Sequence, residues 1–146
     1  MTTLRMDHVS VVVDDLEAAI AFFVELGLEE EGRAPVEGPS VDRVNALEGV
    51  RVDIAMMRTP DGSGRLEVTQ FHSPAAVRAE PENALGNTLG LRSIMFAVDD
   101  IEDVVARLRA HGADLVGELA QYEDSYRLCY VRGPAGIIVA LAEQLG

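Results

Sequence analysis

Lysine and tryptophan are absent from the sequence, and cysteine occurs only once, as Cys129. All 12 basic residues are therefore arginine, and they face 25 acidic residues, which gives a formal net charge of −13. Without lysine, Schiff-base chemistry and phosphate binding by a P-loop lysine are excluded. A single cysteine excludes an internal disulfide. Because a chain this acidic offers no basic face to a phosphate backbone, we expect no nucleic-acid partner.

Long apolar runs are also missing. No stretch approaches the roughly 20 residues of a membrane span, and residues 1–6 lack the pattern of a signal peptide. Hydrophobic residues nevertheless make up 48% of the 146 positions, which excludes a disordered chain and suffices for the core of one domain. An acidic surface repels anionic membranes. We therefore expect a cytoplasmic protein with no membrane partner.

What the sequence does contain is an internal repeat, at an offset of 85 residues. Segment 11–28 resembles segment 96–113, with six of eighteen positions identical. Each copy predicts a strand of alternating apolar residues, then an Asp–Asp pair at the start of an amphipathic helix. The predicted N-caps and helix ends are Asp14 and Gly27 in the first copy, and Asp99 and Gly112 in the second.

Three further strands follow each predicted helix. They are expected at about 28–34, 50–58 and 65–71 in the first half, and at about 114–121, 126–132 and 137–143 in the second. Both halves place a Pro-x-Gly turn between the last two strands. Each half is therefore βαβββ, and the fold class is α+β.

The domain organisation follows from this duplication. We expect a single domain with module 1 at about 4–71, a linker at 72–90 and module 2 at about 91–146. Residues 35–48 are an extra piece of module 1, with a short helix over Val41 to Leu47. A sheet with one helix must bury its other face. The two modules should thus form a curved mixed sheet with helices outside and a concave inner face for a ligand.

Two βαβββ copies with strand–Asp–Asp–helix openings resemble the vicinal oxygen chelate superfamily, which includes glyoxalases, bleomycin-resistance proteins and extradiol dioxygenases. The resemblance rests on segments 7–15, 65–70, 98–102 and 132–141. It implies a divalent metal on the inner sheet face, held by the first and last strand of each module, that chelates two neighbouring substrate oxygens. It also implies a homodimer.

By this resemblance, His8 and Glu67 occupy the metal-ligand positions of module 1, and Ser93 and Ala140 those of module 2. Alanine supplies no ligand and a neutral serine hydroxyl is a weak one, whereas divalent metals require three or four good ligands. The sequence therefore assigns no cofactor firmly, and we expect at most a weakly bound divalent metal at His8 and Glu67. Glyoxalase I and extradiol dioxygenase activities are disfavoured, because both need the carboxylate that is missing at position 140.

Further side chains are candidates for binding a ligand beside Ser93 and Ala140. They are Asp53, Met57, Met95, Tyr122, Tyr126, Arg127 and Tyr130. Methionine provides adaptable apolar surface, and tyrosine combines apolar area with a polar tip. Asp53 and Arg127 occupy equivalent strand positions in the two copies, and solvated strand edges explain them equally well. Core or dimer packing is the alternative for the tyrosines.

Two functions remain open. The first is a binding protein that sequesters a small apolar or aromatic compound, as the resistance proteins of the superfamily do. The incomplete metal site and the Tyr and Met content favour it. The second is a lyase, isomerase or epimerase in which His8 and Glu67 transfer a proton next to a carbonyl, with or without a metal. A structural or interaction module has no positive support.

Overall fold

In the computed structural model, which describes residues 2–146, the chain divides into two compact units, Met1–Val77 and Arg78–Gly146. Each unit contains one four-stranded mixed sheet and a helix between the first and second strands. The predicted α+β class and the two βαβββ modules are confirmed. Within the described residues, no helix has both the length and the apolar character needed to cross a membrane.

The first unit carries one helix more than the second. Its elements are β1 (Val9–Val12), α1 (Leu16–Leu26), β2 (Glu29–Glu37), α2 (Pro39–Asn45), β3 (Arg51–Arg58) and β4 (Arg65–Ser73). The sheet has the order β1-β4-β3-β2, in which only β1 and β4 run parallel. The extra helix α2 lies between the second and third strands, and it begins two residues earlier than predicted.

The second unit repeats the same topology. Its elements are β5 (Ser93–Val98), α3 (Ile101–Arg109), β6 (Ala120–Tyr122), β7 (Tyr126–Arg132), a 3-10 turn (Pro134–Gly136) and β8 (Ile138–Gln144), and the sheet order is β5-β8-β7-β6. The strand predicted at 114–121 is largely wrong. Only Ala120–Tyr122 pairs as a strand, preceded by an isolated bridge from Leu115 to Val131.

Each sheet buries one face beneath its helix, as strand alternation requires. In the first unit α1 contributes Phe22 and Phe23, whose rings meet edge to face at 5.2 Å, and packs on β3 and β4. Phe23 and Met57 are fully buried there, and burial of a side chain of this size stabilises by roughly 2–3 kcal/mol. In the second unit Leu108 of α3 and Leu141 of β8 are buried in the corresponding way.

The helices begin one residue later than the sequence indicated. The N-caps are Asp15, which accepts from Ala18 N, and Asp100, which accepts from Asp103 N. The predicted caps Asp14 and Asp99 precede them. Gly27 is the C-cap of α1 with φ 114°, as expected, whereas α3 ends at Arg109 with Ala110 as its C-cap, before Gly112.

The strand that comes last in the chain of each unit, β4 or β8, supplies a second cap for the helix of that unit. Gln70 Oε1 accepts from Leu16 N at 2.9 Å, and Glu143 Oε1 accepts from Ile101 N at 2.8 Å. Both bonds satisfy a backbone donor in the first helical turn, where no intrahelical acceptor is available. The same device in both units fixes the helix on its sheet, so that the opposite face of each sheet is left for other contacts.

Part of the predicted linker belongs to the second unit. Arg132 donates through Nη2 to the Ala84 carbonyl at 2.8 Å, and through Nη1 to the Gly136 carbonyl at 3.0 Å. A Cβ at Gly136 would lie 2.6 Å from Asn83 Oδ1 and 2.7 Å from the Glu82 carbonyl. The chain at 82–84 is therefore in direct contact with the turn between β7 and β8.

Candidate functional site

The face of the first sheet opposite α1 carries a mixed polar and apolar surface, which we call the open face of unit 1. Cross-strand partners share a face, so the register groups its residues in rows. Glu67 pairs with Ser10 on one side and with Met56 on the other. The next row consists of Val12, Thr69 and Ile54.

Helix α2 closes part of this face and forms a cavity of about 240 Å³. Its polar lining residues are Ser10, Asn45, Glu67 and Thr69, and its apolar ones are Val12, Val36, Val41, Val50, Val52, Ile54 and Phe71. Asp42 ties α2 to the residues just before β3, because its carboxylate accepts from Gly49 N at 3.0 Å and from Val50 N at 2.8 Å. The cavity therefore has a sheet floor and a helical wall.

Glu67 is held in place by two hydroxyl groups. Its Oε1 accepts from Ser10 Oγ at 3.3 Å and from Thr69 Oγ1 at 3.0 Å. The side chain remains 25% exposed. A carboxylate inside a mostly apolar lining needs such partners to offset its desolvation. The second oxygen, Oε2, has no hydrogen-bond partner within the described residues and can receive one from a ligand.

His8 lies just before β1 and between two carboxylates. Its Nδ1 is 2.7 Å from Asp7 Oδ2, and its Nε2 is 3.6 Å from Glu67 Oε2. The hydrogen bond with His8, aided by Arg5, lowers the pKa of Asp7. Asp7 thereby orients the imidazole with Nε2 on the side of Glu67. The structure thus brings together the two residues that the sequence singled out in module 1.

These residues fit a divalent metal only in part. An imidazole nitrogen and a carboxylate oxygen at this separation could share one ion, and a carboxylate behind the histidine is a common supporting partner. Across residues 2–146, however, no three His, Cys, Asp or Glu side chains are grouped so that they could hold a metal. Two donors fall short of the three or four that Zn²⁺ and similar ions require.

In the second unit, the register places Ala140 where the first unit has Glu67. Ala140 pairs with Met95 and Tyr130, so these three side chains share the face opposite α3. Met95 is 54% exposed there, whereas Ala140 is fully buried. Ser93 is exposed and pairs with Ile138 at the start of β5. This face has an apolar floor without a carboxylate at the equivalent position.

The three tyrosines lie along β6 and β7. Tyr122 and Tyr126 stack, with ring centroids 4.8 Å apart and planes inclined by 21°. Tyr130 follows Tyr126 on the same face of β7, as strand alternation requires. All three remain partly exposed. They therefore form an accessible aromatic surface in the second unit, and none of them is among the lining residues of the cavity.

Three of the predicted ligand-binding residues lie on the helix-facing side of their sheets instead. Met57 is fully buried in the core beneath α1. Asp53 lies four residues before Met57 on β3 and so points to the same face of the sheet, where its carboxylate is 2.8 Å from His72 Nε2. Arg127 reaches Glu102 of α3 at 3.0 Å. None of the three contributes to the cavity lining. Strand parity directs Asp53 and Met57 to the opposite face of the first sheet, and Arg127 belongs to the sheet of the second unit.

The sequence reasoning missed the α2 side of the cavity. Val41 and Asn45 line it from the inserted helix, and Val36 does so from the end of β2. An extra segment at 35–48 was visible in the sequence, but it has no counterpart in the second copy from which its position could be inferred. Val52 and Ile54 could have been found by parity, since they alternate with the core residues Ala55 and Met57.

The chain thus consists of two βαβββ units, and the first has a cavity on the open face of its sheet. The family model of the Glyoxalase/Bleomycin resistance protein/Dioxygenase superfamily matches residues 5–141. The chain belongs to this superfamily, and the resemblance inferred from its motifs is confirmed. No curated protein matches the chain at a significant level.

Solved structures show the same relationship. A glyoxalase family protein from Bacillus cereus is 53% identical, with a TM-score of 0.94 over 100% of this chain and 97% of that one. A glyoxalase family protein from Enterococcus faecalis is 23% identical, with a TM-score of 0.63 over 98% and 100%. The trypanothione-dependent glyoxalase I of Leishmania major is 19% identical, with a TM-score of 0.66 over 97% and 87%. The last two similarities concern the fold alone.

Proposed function

We propose that the chain binds and sequesters a small, mostly apolar or aromatic molecule in the cavity between α2 and the open face of unit 1. The observation that carries this proposal is a cavity of about 240 Å³ with seven apolar side chains and one anchored carboxylate in its lining. Ligand sites are commonly apolar with a few placed polar groups. The volume lies below the roughly 300 Å³ at which typical ligand pockets begin, so the ligand is about one ring with a short substituent.

Apolar contact alone would give weak binding. Burial of roughly 150 Å² of aromatic surface contributes about 4 kcal/mol, which corresponds to a Kd on the order of 1 mM. A ligand that binds more tightly needs a polar contact as well. Glu67 Oε2 is in a position to provide it, because Ser10 and Thr69 occupy only Oε1.

Two substitutions on the same helix test the site. Val41 lines the cavity, whereas Val44 is 86% exposed and does not. We expect Val41→Phe to fill the cavity and weaken binding of single-ring aromatic compounds by at least about tenfold, and Val44→Phe to leave it unchanged. Isothermal titration calorimetry of both variants against a compound panel measures this. Equal affinity in the two variants would place the ligand elsewhere.

A second candidate function is proton transfer next to a carbonyl, in a lyase, isomerase or epimerase reaction. The 3.6 Å separation of His8 Nε2 and Glu67 Oε2 favours it, since two proton-carrying groups then border one site. Deuterium incorporation into α-hydroxy ketones in D₂O, followed by NMR, tests this candidate. Exchange that is lost in His8→Asn would support it. If the exchange is no faster with the protein than without it, the catalytic candidate is contradicted, and binding is the only proposed function that stands.

We also propose that the protein works without a tightly held metal, as a cytoplasmic homodimer. The donor set of His8 and Glu67 supports the first point, and the superfamily resemblance supports the dimer. Metal analysis of untagged protein should give far less than one divalent ion per chain. Near-stoichiometric metal that disappears in His8→Ala would reverse this point and favour the catalytic candidate.

A further inference from the structure

The polar groups that line the cavity are mainly hydrogen-bond acceptors. Ser10 Oγ and Thr69 Oγ1 both donate their protons to Glu67 Oε1, so they present only lone pairs to a ligand. The amide nitrogen of Asn45 uses one of its two N–H groups to donate to the Val41 carbonyl at 2.9 Å, so the lining keeps one side-chain amide donor beside its several acceptors. Glu67 is the one ionisable side chain among the described residues of the lining. The cavity thus favours a ligand that brings its own donors.

The charge in the described lining is also of one sign, because Glu67 is its only charged residue. Asp7 lies on the far side of His8, with its Oδ2 at 2.7 Å from His8 Nδ1. Asp7 is also paired with Arg5, whose Nη2 lies 3.0 Å from Asp7 Oδ1, so Glu67 is the carboxylate charge that remains at the cavity. No arginine belongs to the described lining, and the chain as a whole has a net charge of −13. An anionic ligand would be repelled both at the cavity and at long range.

We propose, on the basis of the binding role proposed above, that the ligand is a small apolar amine that enters the cavity as its ammonium form. Its apolar body lies against Val52, Ile54 and the inner side of α2. Its N–H groups donate to Glu67 Oε2, the carboxylate oxygen that no hydroxyl occupies. His8 Nε2, at 3.6 Å from that oxygen, is too distant to compete as a hydrogen-bond donor.

The ammonium group sets the expected selectivity. Both an ammonium and a hydroxyl would donate a charge-assisted hydrogen bond to the Glu67 carboxylate, but only the ammonium adds the attraction of a full opposite charge. Because Glu67 is partly exposed and the ammonium loses hydration, we expect this attraction to give a gain in affinity of about tenfold over an alcohol of the same shape. A carboxylate of the same shape has no donor for Glu67 and meets a negative field. The order of affinity is therefore amine, then alcohol, then carboxylate.

Three probes with one ring and one polar group test this order in the wild-type protein. They are 2-phenylethylamine, 2-phenylethanol and phenylacetate, titrated at pH 7 by ligand-observed NMR and calorimetry. We expect the amine to bind at least about tenfold more tightly than the alcohol, and phenylacetate to show no saturable binding. Equal affinity of amine and alcohol, or tighter binding of phenylacetate, would overturn the amine proposal and leave the binding role standing.

A pair of isosteric variants assigns the selectivity to one carboxylate. Glu67→Gln keeps the shape and the acceptor oxygen but removes the charge, and Glu118→Gln makes the same change at an exposed residue outside the lining. We expect Glu67→Gln to lose the tenfold preference for the amine while affinity for 2-phenylethanol is kept, and Glu118→Gln to behave as wild type. A preference that survives Glu67→Gln would contradict the assignment.

Failure of the inference and failure of the binding role are separable. If none of the three probes binds the wild-type protein, both the binding role and the amine proposal are contradicted. Circular dichroism melts of each variant establish that it is folded at the titration temperature. Should Glu67→Gln fail to fold, the order of the three probes on the wild-type protein still decides the proposal.

Discussion

Glu67 and Ala140 occupy the same register position in two copies of one fold, yet only one of them can anchor a polar ligand. Glu67 pairs with Ser10, and Ala140 pairs with Met95. Met95 is the counterpart of Ser10, because the two residues are separated by the repeat offset of 85 residues. The first unit has a carboxylate with two hydroxyl partners at this position, whereas the corresponding row of the second unit consists of Met95, Ala140 and Tyr130. This divergence of single residues gives the two open faces different chemistry.

The buried thiol provides a test at the residue scale. Cys129 is 2% exposed in β7, and burial raises the pKa of its thiol. Because the thiolate is the reactive species, we expect native protein to react with Ellman's reagent only at the rate at which it unfolds. Urea-unfolded protein should react within seconds to minutes. Rapid reaction of the native protein, at a rate independent of stability, would show that Cys129 is accessible.

At the residue scale the sequence predicted part of the site. His8 and Glu67 could be inferred because the repeat and the resemblance place them on the first and last strands of module 1. Asp53 and Met57 were assigned to a ligand site, but they face α1. The alternation of side chains along a strand shows which residues share a face of the sheet. Only the position of the helix shows which of the two faces is buried. That position is fixed by caps such as the bond from Leu16 N to Gln70, which depends on sheet register.

At the scale of elements, α2 distinguishes the two units. The first unit has a helix between its second and third strands, whereas the second has only the turn at 123–125 between β6 and β7. Without α2 the open face of unit 1 would have no wall on that side, since Val41 and Asn45 would be missing. A seven-residue helix that is present in only one copy thus converts a sheet face into a cavity.

Two equivalent turns allow a matched test of how residues 82–84 pack on unit 2. Gly62 and Gly136 follow proline in corresponding turns and have φ of 78° and 76°. A Cβ at Gly62 would meet nothing within 4 Å, whereas at Gly136 it would clash with Asn83 and Glu82. Both changes to alanine carry the strain of positive φ, about 1 kcal/mol. We expect Gly136→Ala to lower the free energy of unfolding by a further 1–3 kcal/mol, roughly the range for overpacking.

Chemical denaturation of the two variants measures the difference. Equal destabilisation by Gly62→Ala and Gly136→Ala would mean that the chain at 82–84 does not rest against the turn in solution. The comparison isolates the packing contact, because the backbone strain and the chemical change are the same at both sites.

The elements themselves were predictable to different degrees. The repeat gave the order βαβββ and the positions of both long helices, because strand alternation and the Asp–Asp openings are local signals. The strand at 114–121 was misjudged, since only Ala120–Tyr122 finds a partner strand. The N-caps were misplaced by one residue because Asp14 and Asp15 are both suitable, and only the geometry of the turn selects Asp15.

At the scale of the whole molecule, the excess of negative charge governs the response to salt. A net charge of −13 on 146 residues creates self-repulsion that is strongest in the compact state. Raising NaCl from about 20 to 200 mM shortens the Debye length from roughly 20 Å to below 10 Å. We therefore expect the melting temperature to rise with NaCl over this range, as measured by differential scanning calorimetry. A steady fall would show that surface ion pairs outweigh the net repulsion.

The central proposal is that the cavity of the first unit binds a small apolar ligand. Methyl-resolved NMR during titration with 2-phenylethylamine tests it most directly. The cavity predicts saturable shifts concentrated on the methyl groups of Val36, Val41, Val50, Val52 and Ile54. Saturable shifts confined to the second unit, for example at Met95, or no saturable shifts at all would contradict it.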